Sequence, residues 1–408
     1  MNSKIIEKYF FVLFSIIPIS IIAGPSVSLA NILLICLSFI CYIFYLKDFK
    51  FFKDKTVKWL FFLYLYLIFN SFISLDPSLG LYRNFGFIRF IVLFIAFNFF
   101  FYRYQNFKKI FLVWFIIISI ITFDVFIESY SGTNIVGYGA RYGERIVSFF
   151  KDEPIVGAYL NAFYLLIFGY LFLDYKKKNN KYKFLIGLFV LIIFCAIVLT
   201  GERSSTIRAF IGLFIFYFLN NNFSAKHKIL LCFLSITFFL IIYSNSSFLK
   251  LRYGDQILLQ FSSKERLQIF LRDNPYALIY KSGVKVFKNY PIFGVGAKNY
   301  RLETCHKKNS GKYYCVTHPH EIYLEFLSEH GVVGATILLS ILFYLIFRIL
   351  KIILISKNYI QLGCFSYLIL KFIPLLPSGA FFNDLNATFF WLNFSIMYAV
   401  NTKTNIFR

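Results

Sequence analysis

The feature that most limits what this chain can become is a succession of apolar runs, most close to 20 residues long, that recurs from one end of the sequence to the other. A helix needs about 20 apolar residues to cross a hydrocarbon core of roughly 30 Å, and a soluble fold has no use for so many such runs. Twelve candidate spans follow, at 9–23, 29–46, 59–75, 84–102, 110–128, 154–173, 184–200, 205–220, 229–245, 321–347, 358–376 and 383–400. With 59% of its residues hydrophobic and only 15% charged, the sequence reads as an all-α polytopic membrane protein. The first run has no convincing small-residue cleavage site and further spans follow at once, so it reads as a retained helix rather than a signal peptide.

The net charge of +24 does not mark a nucleic-acid binder, because the lysines and arginines punctuate apolar stretches instead of gathering on one wetted face. Their distribution sets an orientation. With twelve spans and both termini cytoplasmic, the inside segments hold 22 Lys/Arg and the short outside segments 6 (Arg83, Arg141, Arg145, Lys151, Arg203 and Arg208). Three regions follow: helices 1–9 over 1–245, an outer loop domain over 246–320, and helices 10–12 over 321–408. The stretch 246–317 carries 13 Lys/Arg against four acids, and a surplus of that sign on the outer face points to an anionic ligand or lipid headgroup. Within it, Lys281, Lys285 and Lys288 fall on one helical face opposite Tyr276, Ile279, Val286 and Tyr290. That pattern suits a helix lying in the membrane interface, or one packed on the loop's own small core.

Ionisable residues at membrane depth are functional hypotheses by default. In Leu199-Thr-Gly-Glu-Arg-Ser-Ser205, Arg203 stands where span eight enters the membrane, and its planar fork suits a phosphate; the plainer alternative is a pair with Glu202 or a snorkelling side chain. Arg89, Arg208 and Lys371 also lie within spans, as do Asp124 and Glu128, which read as salt-bridge partners for loop arginines. In Thr317-His-Pro-His-Glu-Ile-Tyr-Leu-Glu-Phe-Leu-Ser-Glu-His-Gly-Val-Val-Gly334, Pro319 suits the first turn of span ten and Glu321 its positive end. At 100° per residue, His320, Gly331 and Gly334 share one side of that helix, so a neighbour can approach closely beside the imidazole. His320 is then either a general base at the outer boundary or a hydrogen-bonded residue at a helix start.

Cys305 and Cys315 alone among seven cysteines sit in polar sequence, and in an oxidising compartment they read as a disulfide stapling the segment before His320. A zinc site using them with His306, His318 and His320 matches no common spacing. Gly294-Val-Gly296 lacks a preceding strand and a third glycine, so it reads as a tight turn rather than a nucleotide loop.

These residues resemble the O-antigen ligase and Wzy-like family of bacterial membrane glycosyltransferases. The signature is His, then Asn, Ser or Gln, then nine residues, then Gly-x-x-Gly; here it stands as His320, Glu321, nine residues, Gly331-Val-Val-Gly334, with Glu321 departing from the expected amide or hydroxyl. Three further segments are similar to the family: Arg145 to Leu160, the Thr200-Gly-Glu-Arg-Ser204 turn, and Phe287 to Gly296 running on to Tyr300-Arg301 and Cys305. The resemblance implies a GT-C-like fold of about twelve helices in the bacterial inner membrane. It implies a large periplasmic loop between helices 9 and 10, a glycan donor on undecaprenyl diphosphate, and inverting transfer without metal or other cofactor. Carried over, His320 matches the proposed base and Arg203 the arginine before span eight. A further loop arginine is expected at Arg272 or Arg301, with Lys281, Lys285 and Lys288 adding field to a diphosphate site.

The favoured acceptor is lipid A core oligosaccharide, which makes the chain an O-antigen ligase; the nearest alternative joins lipid-linked repeat units as a polymerase. A protein-glycosylating relative would usually carry more sequence after the last span. A lipid-linked oligosaccharide flippase or small-solute transporter would also show twelve spans, but its halves tend to be repeat-related around a midplane site. Here the notable residues cluster at the outer boundary.

Overall fold

The computed structural model describes residues 3–139, 145–151, 153–173, 179–220, 224–256, 258–309 and 311–408; Arg141, Lys176, Lys177 and Lys178 lie outside these. Among the described residues every regular element is helical, apart from one isolated bridge between Thr133 and Gly139. The α-helices are α1 (Ser3–Ser15), α2 (Ile17–Ile22), α3 (Pro25–Leu46), α4 (Lys55–Phe72), α5 (Pro77–Gly86), α6 (Ile88–Arg103), α7 (Ile110–Ser131), α8 (Val156–Leu171), α9 (Asn180–Leu199) and α10 (Arg203–Leu219). They continue as α11 (Ala225–Asn245), α12 (Ser247–Leu249), α13 (Lys264–Asp273), α14 (Pro275–Asn289), α15 (Tyr300–Thr304), α16 (Ile322–Phe347), α17 (Leu350–Ser356), α18 (Tyr359–Leu370) and α19 (Asp384–Ala399).

Each of the twelve apolar runs coincides with a helix or a pair of abutting helices. Among the described residues seven stretches are long and apolar enough to cross a membrane by length and composition: Lys4–Ile22, Pro25–Leu46, Pro77–Arg103, Phe107–Ser131, Asn180–Leu199, Lys228–Asn245 and Ile322–Ser356. Of the other helices that coincide with apolar runs, α4 has 18 residues and the rest fewer, and three of them, α8, α18 and α19, are the most deeply buried among the described residues. A helix apolar on every side belongs in the middle of a bundle, and these three pack on one another with α6. The α8–α18 crossing is close because each helix meets the other's backbone through a glycine. A Cβ on Gly169 would overlap the Tyr359 carbonyl, and one on Gly363 the Leu165 carbonyl. Small residues at a crossing are how helices associate when lipid is as apolar as leucine. At the other extreme, almost none of α11 is fully buried.

Side-chain contacts gather the loops into two groups. At one end Arg348 donates to Thr56 Oγ1 at 3.1 Å, Asn405 to the Asn98 carbonyl at 2.8 Å, and Asn401 to Ser356 Oγ at 3.0 Å. These join segments that the lysine and arginine distribution assigns to the inside. At the other end the Leu75 N–H donates to the Val295 carbonyl at 3.1 Å, and Arg89 pairs with Asp384. There too Arg252 donates to the Gly201 carbonyl, and the Ser378 N–H to the His320 carbonyl.

The segment between α11 and α16 is not a separate layer. Its helix α14 buries Ile279, Ser282, Gly283 and Val286 and packs along α16, so the interface-lying reading of α14 gives way to a packed one. The loop's own small core is Val286, Val295 and Tyr300, flanked by Tyr290, Tyr313 and Val316.

Candidate functional site

The turn between α9 and α10 is set by Gly201, which takes φ +68°, a value that favours glycine. Glu202, next in line, is buried and turns away from Arg203. Its carboxylate accepts the Gly157 N–H at 2.7 Å, the Ala158 N–H at 3.0 Å and the Ser205 hydroxyl at 2.9 Å. It therefore caps the exposed N–H groups at the start of α8 from another part of the chain, where the helix dipole favours an anion. Burial raises its pKa, against the pull of those hydrogen bonds. The alternative reading of Arg203, a pair with Glu202, does not hold, because Glu202 is engaged with the start of α8 and with Ser205.

Arg203 is left facing a cavity of about 640 Å³. Among the described residues no carboxylate lies within ion-pair distance of it. Its guanidinium makes only long contacts, to the Arg252 carbonyl at 3.5 Å and to Gln256 Oε1 at 3.4 Å. Arg252, on the turn Lys250–Asp255, and Arg145 line the same cavity, whose other walls include Phe261, Phe270, Leu271, Tyr276 and Leu375 to Pro377. Arg252 is aimed by two bonds to the Gly201 carbonyl, at 3.3 and 3.2 Å, and one to Gln256 Oε1 at 3.1 Å. Burial lowers its pKa, and the neighbouring Arg203 and Arg145 lower it further. Three guanidiniums brought together with one lining acid, Glu202, which is bonded to the start of α8, and with apolar surface from Phe261, Phe270 and Leu271 beside them, are arranged for an anion attached to something greasy.

The wall carrying Arg145 is preorganised by the carboxylates of α7. Glu128 accepts the N–H groups of Val147 and Ser148 at 2.9 and 2.6 Å, and Asp124 accepts the Ile135 N–H at 2.9 Å and the Ser148 hydroxyl. Among the described residues both acids thus serve Ile135, Val147 and Ser148 and neither pairs with Arg145; Arg141, the other arginine of that loop named above, lies outside the described residues. Arg208 behaves likewise in reverse. Buried in α10, it donates to the carbonyls of Leu370, Leu376 and Pro377 and pins the cavity wall between α18 and α19.

His320 stands outside α16, at φ +55°. Glu321, not Pro319, opens the helix: its backbone is extended and its carboxylate accepts the Leu324 N–H at 2.8 Å as an N-cap. The His320 carbonyl accepts the Ser378 N–H at 2.8 Å, and its ring meets Tyr276, a cavity residue, edge-on at 6.0 Å between centroids. The His318 ring lies against it at 3.9 Å. Burial, the larger effect, lowers the pKa of His320, opposed by a hydrogen bond with the Ser378 backbone; burial and His320 together push His318 down to about 4. Both imidazoles are therefore neutral near pH 7, the form in which His320 accepts a proton.

The shared face expected of His320, Gly331 and Gly334 does not exist, because α16 breaks at Gly331, which has φ +64° and ψ −173°. The segment 291–296 docks into the break. Val295 and Gly296 N–H donate to the carbonyls of Ser328 and Glu329 at 2.9 Å each, and Val332 N–H donates to the Pro291 carbonyl at 2.8 Å. A Cβ on Gly331 would overlap the Ile292 carbonyl, and one on Gly334 the Tyr66 hydroxyl. The two glycines of the motif thus let the loop and α4 approach α16. Gly294 and Gly296 take φ +71° and +94°, so the tight-turn reading describes them.

Arg272 is exposed and paired with its neighbour Asp273, and Arg301 is exposed on α15; neither lines the cavity. Lys281, Lys285 and Lys288 are also exposed on α14 and outside that lining, the first two donating to the carbonyls of Leu271 and Lys312. The positions sequence reasoning missed are Arg252 and Arg145. Arg252 had one readable mark: among the arginines of the loop it is the one next to the end of span nine, hence fixed in depth. Cys305 and Cys315 are joined as a disulfide, so neither is free as a metal thiolate.

Residues 188–339 match a family model described as O-antigen ligase, a region that runs from α9 through the Arg203 turn, Arg252 and His320 to Gly331 and Gly334. No curated protein matches the chain. Residues 188–339 of this chain are thus similar to the O-antigen ligase and Wzy-like family, and that stretch contributes Arg203, Arg252 and His320 to the site, whereas Arg145 lies outside it.

Proposed function

We propose that the protein is an inverting, metal-independent O-antigen ligase with a GT-C-like arrangement of twelve membrane crossings, both termini cytoplasmic and the site facing the periplasm. It moves a glycan from undecaprenyl diphosphate to lipid A core oligosaccharide. The observation that carries this reading is the convergence of Arg145, Arg203 and Arg252 on one cavity whose remaining walls are largely apolar, with His320 at its edge. A diphosphate held by the guanidiniums leaves the first stretch of polyprenyl chain against Phe261, Phe270 and Leu271. His320 takes the proton from an acceptor hydroxyl as its oxygen bonds to the anomeric carbon. The anomeric C–O bond to the diphosphate breaks on the opposite face, and the electron pair leaves with the diphosphate. The arginines act where charge develops on that leaving group, a type of donor whose removal costs about 10²–10³ in rate.

The test is transfer by purified protein from an undecaprenyl diphosphate glycan, offered lipid A core and a second donor molecule as competing acceptors. Product on lipid A core, lost in His320→Ala and reduced with donor binding in Arg203→Ala, supports the ligase. Elongated lipid-linked glycan means a polymerase, and product on neither acceptor overturns the transferase reading in favour of a transporter.

A further inference from the structure

A transferase holds two glycans, and the arginine cavity is equipped for one of them. Sugar hydroxyls are donors that need acceptors, and carboxylates are the strongest acceptors a chain offers. The carboxylate of that cavity, Glu202, is already occupied by Gly157, Ala158 and Ser205. A second cavity, about 260 Å³, opens where the α2–α3 corner meets the 150–155 segment and the start of α19. Glu153, Asp384, Lys151 and Ser28 supply polar groups to it, and Ile21, Ile22, Phe150 and Ile155 supply apolar surface. Its size is slightly under the range for drug-sized ligands, which suits a single sugar ring.

The two cavities are neighbours across common walls. In the first wall Arg145 lines the arginine cavity while Phe150, Lys151, Glu153 and Ile155 line the second, and Arg145 Nη2 donates to the Pro154 carbonyl at 3.3 Å. In the other, Leu375 to Pro377 line the arginine cavity and Asp384 and Leu385 the second; between them stands Ser378, whose N–H holds the His320 carbonyl. The 145–160 stretch is one of the segments that mark the family resemblance, and the proposed reaction gives only Arg145 of it a task.

We propose that this second cavity is an acceptor subsite that takes a neutral sugar ring through a hydroxyl bond to Glu153 and a second to the Asp384 oxygen not paired with Arg89, resting on the transferase reading above. His320 does not line it, so the ring held there is not the one that reacts. It lies one or more sugars back along the acceptor chain, and the subsite selects for acceptor length and composition rather than for the bond formed.

The experiment compares two acceptors, intact core oligosaccharide and the same core trimmed to its reacting terminal sugar, with wild type, Glu153→Ala and Asp384→Asn. In both variants KM for the intact core rises about tenfold, equivalent to about 1.4 kcal/mol, toward the value for the trimmed one. KM for the trimmed acceptor and for the donor stays within twofold of wild type. Asp384 also pairs with Arg89, so Glu153→Ala is the decisive variant where Asp384→Asn folds poorly. Equal losses on both acceptors, a changed donor KM, or no change with either acceptor overturns the subsite while leaving the transferase standing. Absence of product in wild type with every acceptor overturns both.

Discussion

At the scale of single residues, the arginines separate by what surrounds them. Arg252 is held by Gly201 and Gln256 against the cavity, whereas Arg272 and Arg301 are exposed. Arg252→Ala is expected to lower kcat by about 10²–10³ with saturating donor, and Arg252→Lys to recover part of it, since the charge returns without the planar fork. Arg272→Ala and Arg301→Ala leave steady-state transfer within twofold. The histidine gives a second prediction. Burial disfavours the imidazolium of His320, so its pKa lies below 6.5 and the base is lost only as pH falls through that lower value. Activity is therefore level through neutral pH and declines on the acid side; the decline disappears from the residual rate of His320→Gln. A limb centred above 6.5 would contradict the buried setting. Sequence made His320 and Arg203 legible, because each stands at a membrane boundary where an ionisable group needs a reason. It left Arg252 indistinct among the 13 basic residues of its loop, since spacing along a loop says nothing about which side chain folds back onto the turn before α10.

Among elements, hydropathy exposed nearly all the helices but hid their interruptions. The run 321–347 is continuously apolar enough to pass as one helix, and glycines at 331 and 334 read as a small-residue face. The pairing that replaces the lost helical bonds comes from residues 291–296, about 35 positions away, and no local pattern encodes it. Gly331→Ala should consequently fail in a way a helical glycine would not. It meets both the positive φ and the Ile292 carbonyl, so the variant is expected to lose its folded yield in detergent, with monodisperse protein as the measurement. Gly311→Ala has positive φ but open space around it, and should cost only about 1 kcal/mol. The disulfide is an element-scale device too. It closes the ten-residue separation ahead of the segment that carries His320, and Thr304 Oγ1 donates to the Val316 carbonyl within the same loop. A Cys305→Ser/Cys315→Ser double variant should exchange backbone amides of 300–320 faster while keeping the arginine cavity's donor affinity. Unchanged exchange would mean that the tyrosine contacts of Tyr290 and Tyr313 with Glu303 hold the loop without it.

For the whole molecule, charge, covalent chemistry and site placement agree on one arrangement. The short loops rich in lysine and arginine meet at one end, through contacts such as Arg348 with Thr56 and Asn405 with Asn98, while the long basic segment 246–317 lies at the other. The arginine cavity, His320 and the Cys305–Cys315 bond gather at the other. A disulfide persists in an oxidising compartment, whereas the positive-inside rule keeps basic loops in the cytoplasm, and the two criteria are physically independent. Their agreement yields a topology test. In a background with the five unpaired cysteines replaced, Lys288→Cys, on the exposed face of α14, should react with a membrane-impermeant maleimide added to spheroplasts. Lys53→Cys, exposed at the opposite end, should react only after permeabilisation. The reverse pattern would place the guanidiniums on the cytoplasmic face, separate them from any acceptor assembled outside, and remove the proposed ligase reaction regardless of how well the cavity fits a diphosphate. Labelling of both from outside would break the bundle's sidedness altogether, and with it the assignment of twelve crossings.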